Sequence, residues 1–136
     1  MNWLAPGSGD LLLALSCALE GNQREEVPVG AILRDPWGRC LASGANVSRG
    51  EHDPLGHAEV ALLRRTATRV GNYRLGGAQV TVTTQPCPLC AAALTLSRVE
   101  TVRFPGDSEP VEACGVELAH WCGACMRFFF ENRRQS

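Results

Sequence analysis

Residues 78–98 read AQVTVTTQPCPLCAAALTLSR, and this stretch decides the fold. Its first part, AQVTVTT, is rich in β-branched side chains and predicts a buried strand. From Pro88 onward, PLCAAALTLSR predicts a helix with a small-residue face. The join carries Cys87 and Cys90, three apart behind Pro86. Strand, short loop and helix in succession is the local pattern of an α/β protein. Taken alone, the cysteine pair admits three readings: half of a metal site, a redox couple, or two small core side chains.

Working outward, VPVGAILR (27–34) predicts a short apolar strand and RCLASGAN (39–46) its partner. DPWG (35–38) between them has Asp, Pro and Gly at the first, second and fourth places of a type I turn, so the two strands form a hairpin. VSRGEHDPLG (47–56) is a polar loop. A helix follows from His57 to Val70, with Val60, Leu62, Leu63 and Ala67 on its apolar side, and VETVRF (99–104) predicts a further strand. Near the start, Asp10 is placed to cap a helix running to about Gly21, with Leu11, Leu12, Leu15 and Leu19 at helical spacing. Residues 1–9, with Pro6, Gly7 and Gly9, predict a loose leader. After Phe104, PGDSEP reads as a turn or loop and the rest as a segment ending in a helix. The order α-β-β-α-β-α-β-α over residues 1–136 predicts one α/β sandwich domain, with no repeat or linker.

The chain is 45% hydrophobic and 20% charged, enough apolar material for a core without staples. Net charge is -1, so no global positive field attracts nucleic acid, and an RNA surface must be local. All 13 basic residues are arginine. Seven cysteines is an odd number, which rules out a fully paired disulfide framework. LLLALSCAL (11–19) is apolar, but no Lys or Arg precedes it and it is too short to span a bilayer. These features predict a cytoplasmic protein with no membrane partner, where cysteines serve as ligands, catalysts or core residues.

HAE at 57–59 opens the second long helix and PCPLC at 86–90 opens the next. A helix N-terminus presents free N–H groups and partial positive charge, which favour thiolate. Catalytic zinc takes three protein ligands and leaves one position for water. His57, Cys87 and Cys90 meet that need with zero formal charge, holding one Zn²⁺ per chain. Zinc lowers the pKa of water to about 7, and Glu59, two residues beyond His57, is free to move protons beside it. Such a set suits hydrolytic deamination at an amidine-like ring carbon. H-x-E followed by P-C-x-x-C resembles the signature of zinc deaminases that act on bases.

The likeness extends beyond the signature. REEVPVGAIL (24–33), HDPLGHAEVALLR (52–64), GNYRL (71–75) and TTQPCPLCAAAL (83–94) closely resemble the bacterial tRNA adenosine deaminase branch of the cytidine deaminase-like superfamily. The resemblance runs from about residue 10 to Phe104, with a weaker echo in FFFENRR (128–134). It implies a three-layer α/β/α sandwich around a mixed sheet of about five strands, and a homodimer. It also implies conversion of adenosine to inosine at the wobble position of a tRNA anticodon stem-loop. Carried over, His57, Cys87 and Cys90 bind zinc and Glu59 is the proton shuttle. Asn46 matches a base-contacting asparagine, and His52 and Asp53 match residues beside the site. Three departures stand out: Gln85 replaces the usual Glu, Gly56 replaces the usual Ala, and PGDSEPVEACG (105–115) is acidic and shorter where a basic segment is usual.

A deaminase of free nucleobases or nucleosides, of guanine, adenine or cytosine type, uses the same four residues and needs no RNA surface. Near-neutral charge and the acidic segment fit it; NYRL and the HDP loop fit tRNA. A zinc-stabilised scaffold without activity has no use for Glu59. Cys114, Cys122 and Cys125 are expected to be small core residues, with a second zinc knuckle that includes His120 as the alternative. Arg64, Arg65, Arg69 and Arg74 form either a basic stripe or a solvated helix face.

Overall fold

The computed structural model describes residues 1–4, 7–105, 127, 130 and 131. Five strands form one mixed sheet: β1 (Asn2–Leu4), β2 (Gly30–Arg34), β3 (Cys40–Ala45), β4 (Gln79–Val82) and β5 (Thr101–Arg103). Their spatial order is β1-β5-β4-β2-β3. β2 pairs antiparallel with both β3 and β4, whereas β4–β5 and β5–β1 are parallel. Helices α1 (Ser8–Gln23), α2 (Ala58–Val70) and α3 (Pro88–Leu96) lie against it among the described residues.

Alternate residues of a strand face opposite sides of a sheet, and β2 shows which helix lies where. Ala31 and Leu33 join Ala58, Leu62 and Leu63 of α2, Leu94 of α3, and Val80, Val82 and Val102 in the main core. The opposite face carries Gly30 and Arg34 toward α1. Arg34 grips Asp10 of α1 at 2.7 Å. A side chain on Gly30 would bring its Cβ to 1.9 Å from the Ala14 carbonyl oxygen, so glycine is what lets α1 lie on the strand. Gly30→Ala is therefore expected to cost about 3 kcal/mol through overpacking, read as a lower urea midpoint with an unchanged slope.

The hairpin turn forms as expected: Gly38 N–H donates to Asp35 O at 3.0 Å, while Asp35 Oδ1 accepts from the Trp37 and Arg39 amides. Gly71 closes α2 in the left-handed region at φ 69°. β2 begins at Gly30 rather than at residue 27, because Pro28 brings no amide hydrogen and Val29 N–H turns back to Val27 O at 2.8 Å.

The leader expectation needs correction. Asn2–Leu4 is the outermost strand, paired with Thr101–Arg103, and Trp3 packs edge-to-face on Phe104 at 5.8 Å. The exposed edge of β5 supplies the unpaired backbone groups that draw this segment in. Asp10 does not cap α1 either. Gly7 holds that place, and the Asp10 carboxylate turns to Arg34 instead. Among the described residues, no helix is long and apolar enough to cross a membrane. Of the C-terminal stretch, Arg127, Phe130 and Glu131 are described and are helical; Cys114, His120, Cys122 and Cys125 lie outside the described residues.

Candidate metal centre

Two strand-to-helix junctions on the same side of the sheet build the site. Loop 47–56 leads into α2 with His57 as N-cap, and β4 leads through TTQPC (83–87) into α3 with Cys87 as N-cap and Pro88 in the first turn. Both caps have extended backbones, φ -69° and -70°, and neither side chain bonds its own helix end. They turn toward each other instead. His57 Nδ1 lies 3.4 Å from Cys87 Sγ and 3.4 Å from Cys90 Sγ, and the three donor atoms fall within 4.8 Å of one another. With Zn–S near 2.3 Å and Zn–N near 2.0–2.1 Å, the N···S edge of a tetrahedral zinc site is about 3.6 Å. The donor set therefore fits one zinc ion in spacing and in chemistry, since thiolate and imidazole select it.

Cys90 is buried, one turn into α3, while His57 and Cys87 are half-buried. Glu59 in the first turn of α2 is 3% exposed, and its Oε2 accepts from the Cys90 thiol at 3.4 Å. Burial pushes the Glu59 carboxyl above its usual range. Burial, aided by the Glu59 charge, also pushes up the Cys90 thiol. In the metal-free protein that thiol holds its proton, so zinc uptake releases it.

Asn46 ends β3. It is 7% exposed, and its side-chain amide makes no hydrogen bond among the described residues. Val47 N–H donates to Gly56 O at 2.8 Å, closing the neck of the loop and setting Asn46 beside His57. Asp53 is committed to the loop: Oδ1 accepts from Leu55 N–H and Oδ2 pairs with Arg64 at 3.1 Å. His52 is exposed, with φ 50°. A Cβ on Gly56 would lie 2.8 Å from Ser48 N, so the loop packs closely onto this glycine. Gln85 is exposed.

Three of the four stripe arginines are engaged with the fold, while Arg74 stacks on the exposed Tyr73. Arg65 donates to Ser43 O and Arg69 to Leu41 O, both on β3, and Arg64 holds Asp53. One buried group escaped the sequence reading: Glu26, 2% exposed, whose carboxylate accepts from the Arg49 and Gly50 amides. Its partners lie 23 and 24 residues downstream, and no local pattern signals such a pairing.

A mixed sheet that presents one imidazole and two thiols from two helix starts, with a buried carboxylate alongside, defines an α/β domain of the mononuclear zinc-hydrolase class. The family model described as "Cytidine and deoxycytidylate deaminase zinc-binding region" matches residues 11–105, and the chain belongs to that family.

Among its relatives, a tRNA-specific adenosine deaminase of Haemophilus influenzae is 31% identical over 90% of this chain and 82% of that protein. A tRNA(Ile)-lysidine synthase of Deinococcus deserti is 38% identical over 79% of this chain, which spans only 21% of that longer protein. A solved structure from work on A-to-I editing by tRNA:A34 deaminases at the wobble position superposes with TM-score 0.69 at 37% identity, covering 71% of this chain and 74% of the other. The guanine deaminase of Bacillus subtilis superposes with the same TM-score, 0.69, at 28% identity, over 84% of this chain and 69% of the other.

Proposed function

We propose that this chain is a single-domain, zinc-dependent hydrolytic deaminase that converts adenosine to inosine at the wobble position of a tRNA anticodon, acting as a homodimer in the cytoplasm. The observation that carries the chemistry is the buried Glu59 carboxylate 3.4 Å from Cys90 Sγ, beside the His57–Cys87–Cys90 cluster. The relatives named for tRNA adenosine deamination support the substrate.

His57, Cys87 and Cys90 hold the ion, and their two negative charges balance it. A bound zinc supplies a Lewis acid that brings the pKa of water to about 7. Glu59 does the proton work. Its carboxylate takes a proton from the water that attacks C6 of the base and passes it to the neighbouring ring nitrogen, then takes the proton of the new C6 hydroxyl and delivers it to the departing amino group. Water and adenosine give inosine and ammonia, and Glu59 ends as it began. Burial serves this cycle, because a carboxyl whose acidity is pushed toward neutrality both accepts and returns a proton readily. The Asn46 amide, next to the Val47–Gly56 bond that closes the loop before His57, is suited to bonding the base edge. Asp53 and His52 act through the loop that they shape.

A second reading, deamination of a free nucleobase, draws on the likeness to guanine deaminase and on the net charge of -1. One assay panel separates the two. The zinc-loaded protein is incubated with an anticodon stem-loop bearing wobble adenosine, and separately with free bases and nucleosides. Inosine is expected in the stem-loop alone. Ammonia released only from small molecules would transfer the assignment to the second reading.

A further inference from the structure

We infer that Glu26 is a positioning residue for the substrate mouth, acting through the loop between Asn46 and His57; this rests on the deaminase reading above. Glu25 adopts φ 62° just past the end of α1, and this left-handed residue turns the chain so that the next side chain points inward. Glu26 is consequently 2% exposed. Burying a carboxylate is costly unless hydrogen bonds replace its water, so what it bonds indicates what it is for. It bonds the loop: Oε1 accepts from Gly50 N–H at 2.7 Å and Oε2 from Arg49 N–H at 3.2 Å. Two oxygens thus meet two successive backbone amides. Arg49 adds a second tie, donating to Glu25 O at 3.2 Å and pairing with the Glu25 carboxylate at 3.5 Å.

The other contacts of the loop lie elsewhere. Its neck is closed by Val47 and Gly56, its far end by Asp53 with Ser48 and Arg64. Only the Glu25–Glu26 pair joins residues 49 and 50 to the α1–β2 connection among the contacts described here. This loop starts directly after Asn46 and ends directly before His57, so its placement shapes the entrance to the cluster. Among the described residues no hydrogen bond joins Glu26 to a zinc donor, which separates its role from metal binding.

The test compares Glu26→Ala and Glu26→Gln with the wild type, as zinc-loaded full-length chains, by backbone amide exchange and by steady-state kinetics on the wobble-adenosine stem-loop. In Glu26→Ala, exchange is expected to quicken within residues 47–56 while α2 and α3 keep their protection and zinc stays at one per chain. KM is expected to rise about tenfold with kcat changed less than about threefold, because the loop spends less of its time in the binding arrangement. Glu26→Gln keeps one acceptor and should fall between. Unchanged loop exchange overturns the inference, as does a fall in kcat with KM unchanged, or a loss of protection spread evenly over the sheet and helices. If the wild type deaminates neither stem-loop nor free base, the functional reading fails, and the exchange pattern alone decides whether Glu26 holds the loop.

Discussion

Glu59→Ala is expected to keep its zinc and its fold while releasing ammonia about 10²–10⁴ times more slowly than the wild type, the range that a positioned general acid–base contributes. The side chain stands in the first turn of α2 and is almost wholly buried. Its carboxyl is pushed up by that burial, so ionising it costs the folded state energy that a structural residue would avoid. Removing it relieves that cost and leaves a small cavity, and the melting temperature is expected to stay level or rise. A loss of rate without a loss of stability marks a group kept for chemistry. Glu59→Gln preserves the shape and removes the proton transfer, so it should be nearly as slow. Metal analysis, thermal melting and ammonia release on the same preparations make the comparison. Either variant turning over at the wild-type rate would remove Glu59 from the mechanism.

Stripping zinc is expected to lower the melting temperature by about 10 °C or more. An ion bound only by the folded state adds about 4 kcal/mol when its free concentration is a thousand times Kd. For a chain of this length each kcal/mol is about 3–4 °C. The structural reason is that His57 and Cys87 sit on separate helix starts, 30 residues apart in sequence, and the ion ties α2 to α3. His57→Ala and Cys87→Ala should each contain no zinc and melt where the chelated wild type melts. A chelator should not shift them further, since the same tie cannot be cut twice. A variant that keeps one zinc per chain, or a wild type whose melting ignores the chelator, would show that the ligand set is wrong.

The sequence made the site legible because each of its parts is local. H-x-E and P-C-x-x-C fix which atoms stand at a helix start, and a strong β-branched strand before the cysteines fixes where that helix begins. The hairpin was equally plain, since Asp35, Pro36 and Gly38 each meet a named demand of the turn. The leader was not. Three residues, NWL, between the chain start and a Pro-Gly pair give no alternation to read, and their strand exists only because β5 offers an open edge. The resemblance implied about five strands while the residues themselves marked four; Asn2–Leu4 makes the fifth. Glu26 was hidden for a related reason. A carboxylate that bonds amides more than 20 residues away leaves no spacing to detect, and "REEV" reads as solvated charge until the loop is seen to fold over it.

Arg65 and Arg69 stand one helical turn apart on α2 and reach the carbonyls of Ser43 and Leu41 on the outer strand β3. Those carbonyls face away from β2, and a bare row of them is a template on which another chain can add a strand. Two guanidinium groups therefore seal this border, with charges that repel an identical molecule arriving in the same way.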